Sequence, residues 1–228
     1  FKYLYDEKSI NVYIPAKEFK KIVSFGFLFF LVNILNLMIV NMEGLFIPYY
    51  YGQEANGIYS GLSFIYITVF VMIGTSIGYV LFPMLSKKEQ INFKSLLFYT
   101  SFIVFIISFI FILFGDLINS IAFKGKFDIY RTFKIDLMII LIGALQFING
   151  LFHWFILGLG SKKNIIEYLK IIILTLITYF LSVLLIAIFF NPSFLGIIPI
   201  VLVAWIVKVS ITLYFIFKTN IISNYLKY

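Results

Sequence analysis

The chain has 228 residues, of which 62% are hydrophobic and only 12% charged, with a formal net charge of +8. A soluble domain of this length carries roughly a quarter charged residues, so the composition excludes one and leaves an integral membrane protein. Cysteine is absent and His153 is the single histidine, which excludes a disulfide framework, a cysteine nucleophile and a histidine-based metal site; no cofactor is expected.

Residues 1–21 mix charges of both signs and show no signal-peptide pattern. With Phe rather than Met at position 1, they read as a cytoplasmic lead-in that begins inside a longer protein. Six apolar runs follow, at about 22–42, 58–82, 95–114, 136–159, 165–190 and 195–217, and residues 219–228 form a cytoplasmic tail. Such runs match the ~20 residues a helix needs to cross ~30 Å of hydrocarbon. They lack the period-two alternation of barrel strands, whereas helices satisfy every backbone group internally, as lipid requires. The predicted fold class is therefore all-α, a polytopic membrane bundle with six transmembrane helices.

Basic residues set the orientation. Lys2, Lys8, Lys17, Lys20, Lys21, Lys87, Lys88, Lys94, Lys162, Lys163, Lys170, Lys218 and Lys227 fall on one side, while Lys124, Lys126, Arg131 and Lys134 share one loop on the other. The positive-inside rule places both termini in the cytoplasm of a cell-membrane protein. The partner of this charge is the bilayer and its anionic lipid. Nucleic acid is not expected, because the basic residues form no continuous stripe. The 115–135 loop also holds Asp116 and Asp128, with Phe123, Phe127, Ile129, Tyr130 and Phe133 interleaved. It reads as a short helix at the outer interface or as an ordered surface loop.

Polar residues inside the spans are costly in lipid and tend to face a bundle interior or a wet cavity. In the fourth span Gln146, Asn149, Gly150 and His153 follow i, i+3, i+4, i+7, which puts them on one helical face. The first span carries Asn33 and Asn36, with Glu43 where it meets the outer loop. Lys208 lies near the middle of the sixth span, too far from either interface for its stem to reach water. These residues are expected to share a polar cavity, with Glu43 as a coupling or outer-gate group. Thr175, Thr178 and Ser182 on the fifth span, and the Gly57/Gly61 and Gly74/Gly78 pairs on the second, read as helix packing.

Three segments carry a resemblance. EANGIYSGLSFIY (54–66) opens the second span, GTSIGYVLFPMLSKK (74–88) closes it before a basic turn, and FGDLINSIAFKGKF (114–127) follows the third. In this order and position they resemble the polysaccharide-flippase branch of the multidrug/oligosaccharidyl-lipid/polysaccharide exporter superfamily, over nearly the whole chain. Members have two six-helix lobes around a central cavity, so the resemblance implies one lobe of a two-lobe transporter. The lead-in KEFKKIVSFGF (17–27) resembles the entry to the C-terminal lobe. The missing lobe, or a homodimer partner, would complete the cavity.

The resemblance implies a flippase that moves lipid-linked oligosaccharide to the outer leaflet by alternating access. Lys208 would suit a diphosphate, and Asn33, Asn36, Gln146, Asn149 and His153 sugar hydroxyls. Three other readings compete: an ion-coupled small-molecule exporter, a membrane-embedded transferase using the carboxylates of Glu43, Asp116 and Asp128, and a purely structural subunit. A positive buried charge disfavours an exporter of cations. Scattered carboxylates with no nucleophile–base couple disfavour an enzyme.

Overall fold

A computed structural model describes residues 15–87, 92–190, 194–219 and 221. It contains six helices: α1 (Ala16–Val40), α2 (Met42–Ser86), α3 (Phe93–Phe123), α4 (Phe133–Leu159), α5 (Lys162–Phe190) and α6 (Ile197–Lys218). All six are long and apolar enough to cross a membrane, and the described residues contain no strand. The protein is an all-α polytopic bundle. Residues 1–14 of the lead-in, Lys88 and 89–91 in the turn after α2, 191–193 of the last linker and most of the tail lie outside the described residues.

Two segments depart from the sequence expectation. The chain between the first two spans does not form a loop. It stays helical from Met42, broken only at Gly52 (φ 84, ψ 171). That backbone conformation is open essentially to glycine alone. In the 115–135 segment, which reads as a short helix or an ordered loop, α3 itself continues to Phe123, and Lys124 (φ 52) and Gly125 (φ 74) then reverse the chain into a loop. A single 3-10 turn, Asp128–Tyr130, leads to Arg131. A left-handed residue just past a helix end is a common way to satisfy its last carbonyls.

α4 is the central and most enclosed helix. α2 packs along one side of it and α6 along another, while α1 pairs with α5. Apolar burial gives little driving force between helices in lipid, so close contact and polar links must hold such a bundle. Close contact is visible at the Gly74/Gly78 pair, where Gly74 faces Phe147 and the Trp154 indole occupies the space a Gly78 side chain would need. Gly57 faces open space, while Gly61 meets Phe127. Thr175 returns its hydroxyl to the Ile171 carbonyl at 2.8 Å. With Thr178 and Ser182 it lines a mostly apolar groove of about 360 Å³ between α5 and α6.

α3 is only lightly attached and exposes Phe98, Phe102, Phe105 and Phe109, a surface suited to lipid. α1 and α2 make few contacts with each other. Near the end of the bundle that carries Lys17, Lys87 and Lys162 (the lysine-rich end), they meet through Phe29 and Phe82, whose ring centres are 5.7 Å apart. Between that contact and the Gly52 turn they are separated by a groove with α4 as its floor.

Candidate functional site

The groove consists of two adjoining clefts of about 290 and 280 Å³, which share Val40, Val71 and Gln146. Asn33, Asn36, Gln146, Asn149, Gly150 and His153 line the first. The second continues toward Gly52 past Asn41, Glu43, Tyr59, Ser60 and Ser63. At the lysine-rich end an aromatic cluster closes the floor: Trp154 lies 5.8 Å from Phe82 and 5.8 Å from Tyr79, centre to centre.

The helical spacing on α4 presents its polar face to this groove, and hydrogen bonds tie that face to α1. His153 Nε2 is 3.1 Å from Asn33 Oδ1, and its Nδ1 is 3.3 Å from the Tyr168 hydroxyl on α5. Asn149 Nδ2 donates to Asn36 Oδ1 at 3.4 Å. The same oxygen accepts from Lys208 Nζ at 2.9 Å. Lys208 is 3% exposed and also sits 4.5 Å from the centre of the Trp205 ring, a cation–π distance. It does not line the cleft itself, because Asn36 stands between them. Its backbone carbonyl accepts from Thr212, one turn on.

Glu43 lies within a helix rather than where a span meets a loop. The helix that resumes at Met42 carries past it, and its carboxylate is buried within the bundle at 7% exposure. The Tyr179 hydroxyl donates to Glu43 Oε1 at 2.5 Å. Tyr179 lies about 12 Å along α5 from Ile171, where that helix's uncharged stretch begins. Lys208 is the cation that acts electrostatically on Glu43. The Trp205 indole N–H is near the carboxylate without completing a hydrogen bond to it. A buried negative and a buried positive group thus sit on either side of Trp205, each with its own neutral partner, Tyr179 for Glu43 and Asn36 for Lys208.

The structure brings all seven sequence candidates into one connected region. Asn33, Asn36, Gln146, Asn149 and His153 line the first cleft, Glu43 the second, and Lys208 supports Asn36 from behind. Sequence reasoning misses Tyr168, which meets His153, and Tyr179, Tyr59 and Trp205, which lie around the charged pair. Their signal is weak because aromatic residues abound in every span.

It also misses a second polar centre. Arg131 bonds Asp136 through two nitrogens (2.6 and 3.3 Å), approaches Asp116 at 3.1 Å and donates to the Tyr66 hydroxyl at 3.1 Å. Asn119 donates to the same hydroxyl at 2.8 Å. This clasp ties α2, α3 and α4 together at the Gly52 end. It takes up Asp116, with Asp128 4.0 Å from the guanidinium, while Glu43 belongs to the other network. The three carboxylates considered for a transferase therefore do not share a site.

A family model described as polysaccharide biosynthesis protein matches residues 1–152, two thirds of the chain. The chain belongs to that polysaccharide biosynthesis protein family. The matched part of this family member contains Asn33, Asn36, Glu43, Gln146 and Asn149, whereas His153 and Lys208 lie beyond it. No curated protein and no solved structure matches. Six spanning helices and this membership make it a multi-pass membrane protein of polysaccharide biosynthesis.

Proposed function

We propose that the chain is one six-helix lobe of a flippase that carries lipid-linked oligosaccharide across the cell membrane by alternating access. The observation that carries this reading is the lateral polar groove between α1 and α2, floored by the amides and imidazole of α4. A lipid-linked substrate needs a polar path for its sugar beside a bilayer that keeps its tail. A groove open along the side of a helix bundle supplies that geometry, and amide side chains suit sugar hydroxyls. The segment resemblance favours the C-terminal lobe, with the groove completed by the other lobe or by a second copy of the chain. The distribution of lysines favours both termini in the cytoplasm. Engagement of Asp116 and Asp136 by Arg131 favours transport over catalysis, since it leaves no free pair of carboxylates there for transfer chemistry.

The test is depletion of the protein in its host, followed by assay of the lipid-linked precursor. Its synthesis is expected to continue while it stays out of reach of a lectin added outside the cell. A precursor that still reaches the outer leaflet at the normal rate contradicts transport. A precursor that is no longer made points to the transferase.

A further inference from the structure

Lys208 suits a diphosphate by its charge, yet Asn36 separates it from the cleft. Its effect on the cleft is indirect and follows from donor and acceptor chemistry. An ammonium has only donors, so the Asn36 atom 2.9 Å from Lys208 Nζ must be the carbonyl oxygen. The Asn149 atom 3.4 Å from that same oxygen must then be the NH₂ group. This leaves Asn149 Oδ1 as the free end of the amide, and it is buried without a hydrogen-bond partner. Gln146, three residues earlier on the same face of α4, holds a second buried and unpartnered amide oxygen, Oε1. Both residues line the cleft. Neither oxygen has a donor, so each is an acceptor on the groove lining whose hydrogen bond is still to be made.

We infer that Lys208 is a positioning residue: it fixes the amide register of Asn36 and Asn149 so that α4 presents carbonyl oxygens to the groove, and this wall recognises neutral hydroxyl donors of a sugar rather than an anion. An anion meets two carbonyl oxygens and a lysine already engaged by Asn36. A cation meets the positive field of Lys208 behind that same amide. A hydroxyl group supplies the donor the wall lacks and carries no charge to conflict with Lys208. The inference rests on the flippase reading and narrows it, by placing the sugar at this wall and the diphosphate elsewhere.

The chain has no cysteine, and a side chain built at Gly150, inside the cleft, meets nothing within 4 Å. Gly150→Cys in the full chain is therefore a clean thiol reporter, read by its rate of maleimide labelling in membranes. One probe is the oligosaccharide released by mild acid from the host's own lipid-linked pool; the other is inorganic pyrophosphate. The oligosaccharide is expected to slow labelling and pyrophosphate to leave it unchanged.

Lys208 is then varied with Glu43→Gln present throughout, so that no unbalanced buried charge is left. Lys208→Gln retains a donor for Asn36 and is expected to retain protection. Lys208→Met removes the donor and is expected to weaken protection about five- to tenfold, the effect of one hydrogen bond. If the Lys208→Met protein does not accumulate, Asn149→Leu serves in its place, with the same loss expected. Protection by pyrophosphate but not by oligosaccharide overturns the inference, as does equal behaviour of Lys208→Gln and Lys208→Met. Absence of protection by either probe also overturns it. In that case, a precursor still trapped inside on depletion shows that the flippase reading survives without this wall.

Discussion

Arg131→Met is expected to lower the unfolding midpoint of the purified protein more than any other single change at the Gly52 end. The guanidinium side chain is 6% exposed and is held by Asp136 and Asp116. Its removal leaves Asp136, whose side chain is 15% exposed, without its cation, and leaves the Tyr66 hydroxyl with Asn119 alone. Breaking a buried ion pair on one side costs about 3–5 kcal/mol. The site opens to the surface through Asp116, so the expected loss is about 2–4 kcal/mol, with little of it from that exposed carboxylate. Asp116→Asn is expected to change the midpoint little. Thermal unfolding in detergent, followed by size-exclusion elution, checks both. Equal losses for the two variants would show that the clasp is held through Asp116 instead.

Lys208→Met is the second large effect. It leaves Glu43 as a buried carboxylate with Tyr179 and no compensating cation, and it frees Asn36 Oδ1 from its strongest donor. The expected loss is about 3 kcal/mol for Lys208→Met and somewhat less for Glu43→Gln, which retains an acceptor for Tyr179. The double variant is expected to be about as stable as Lys208→Met alone, or more stable. The two charges then show a coupling of about 1–3 kcal/mol, even though Trp205 lies between them. Strictly additive losses in the same unfolding assay would mean that the two charges are independent and that each is balanced locally.

What the sequence reveals of this site follows helical periodicity. Gln146, Asn149, Gly150 and His153 repeat at the spacing of one face, so their common direction is legible from the order of residues alone. Lys208 is legible as an anomaly because one charge stands within an apolar run. Its partner is not: Asn36 lies far away in sequence, and only the packing of α1 and α6 against the bundle brings them together. The helical setting of Glu43 is not legible for a related reason. Gly44, Pro48, the tyrosines and Gly52 have the composition of a turn, but 42–51 are helical and the break is confined to Gly52. The Arg131 clasp is hidden because its members come from α2, α3, α4 and the loop before α4, and no local pattern joins Tyr66 to Arg131. Span number and helical class are readable throughout, since lipid permits few alternatives to an apolar helix.

The most direct measurement is photocrosslinking in the living host, with a benzophenone amino acid placed at Gly150 in the cleft or at Phe105, which is 65% exposed on α3. Adducts are identified by mass. A lipid-linked glycan adduct is expected at position 150 and only plain lipid at position 105. Glycan-bearing lipid at 105 but not at 150, or at neither position, would contradict the assignment of the α1–α2 groove as the path of the sugar.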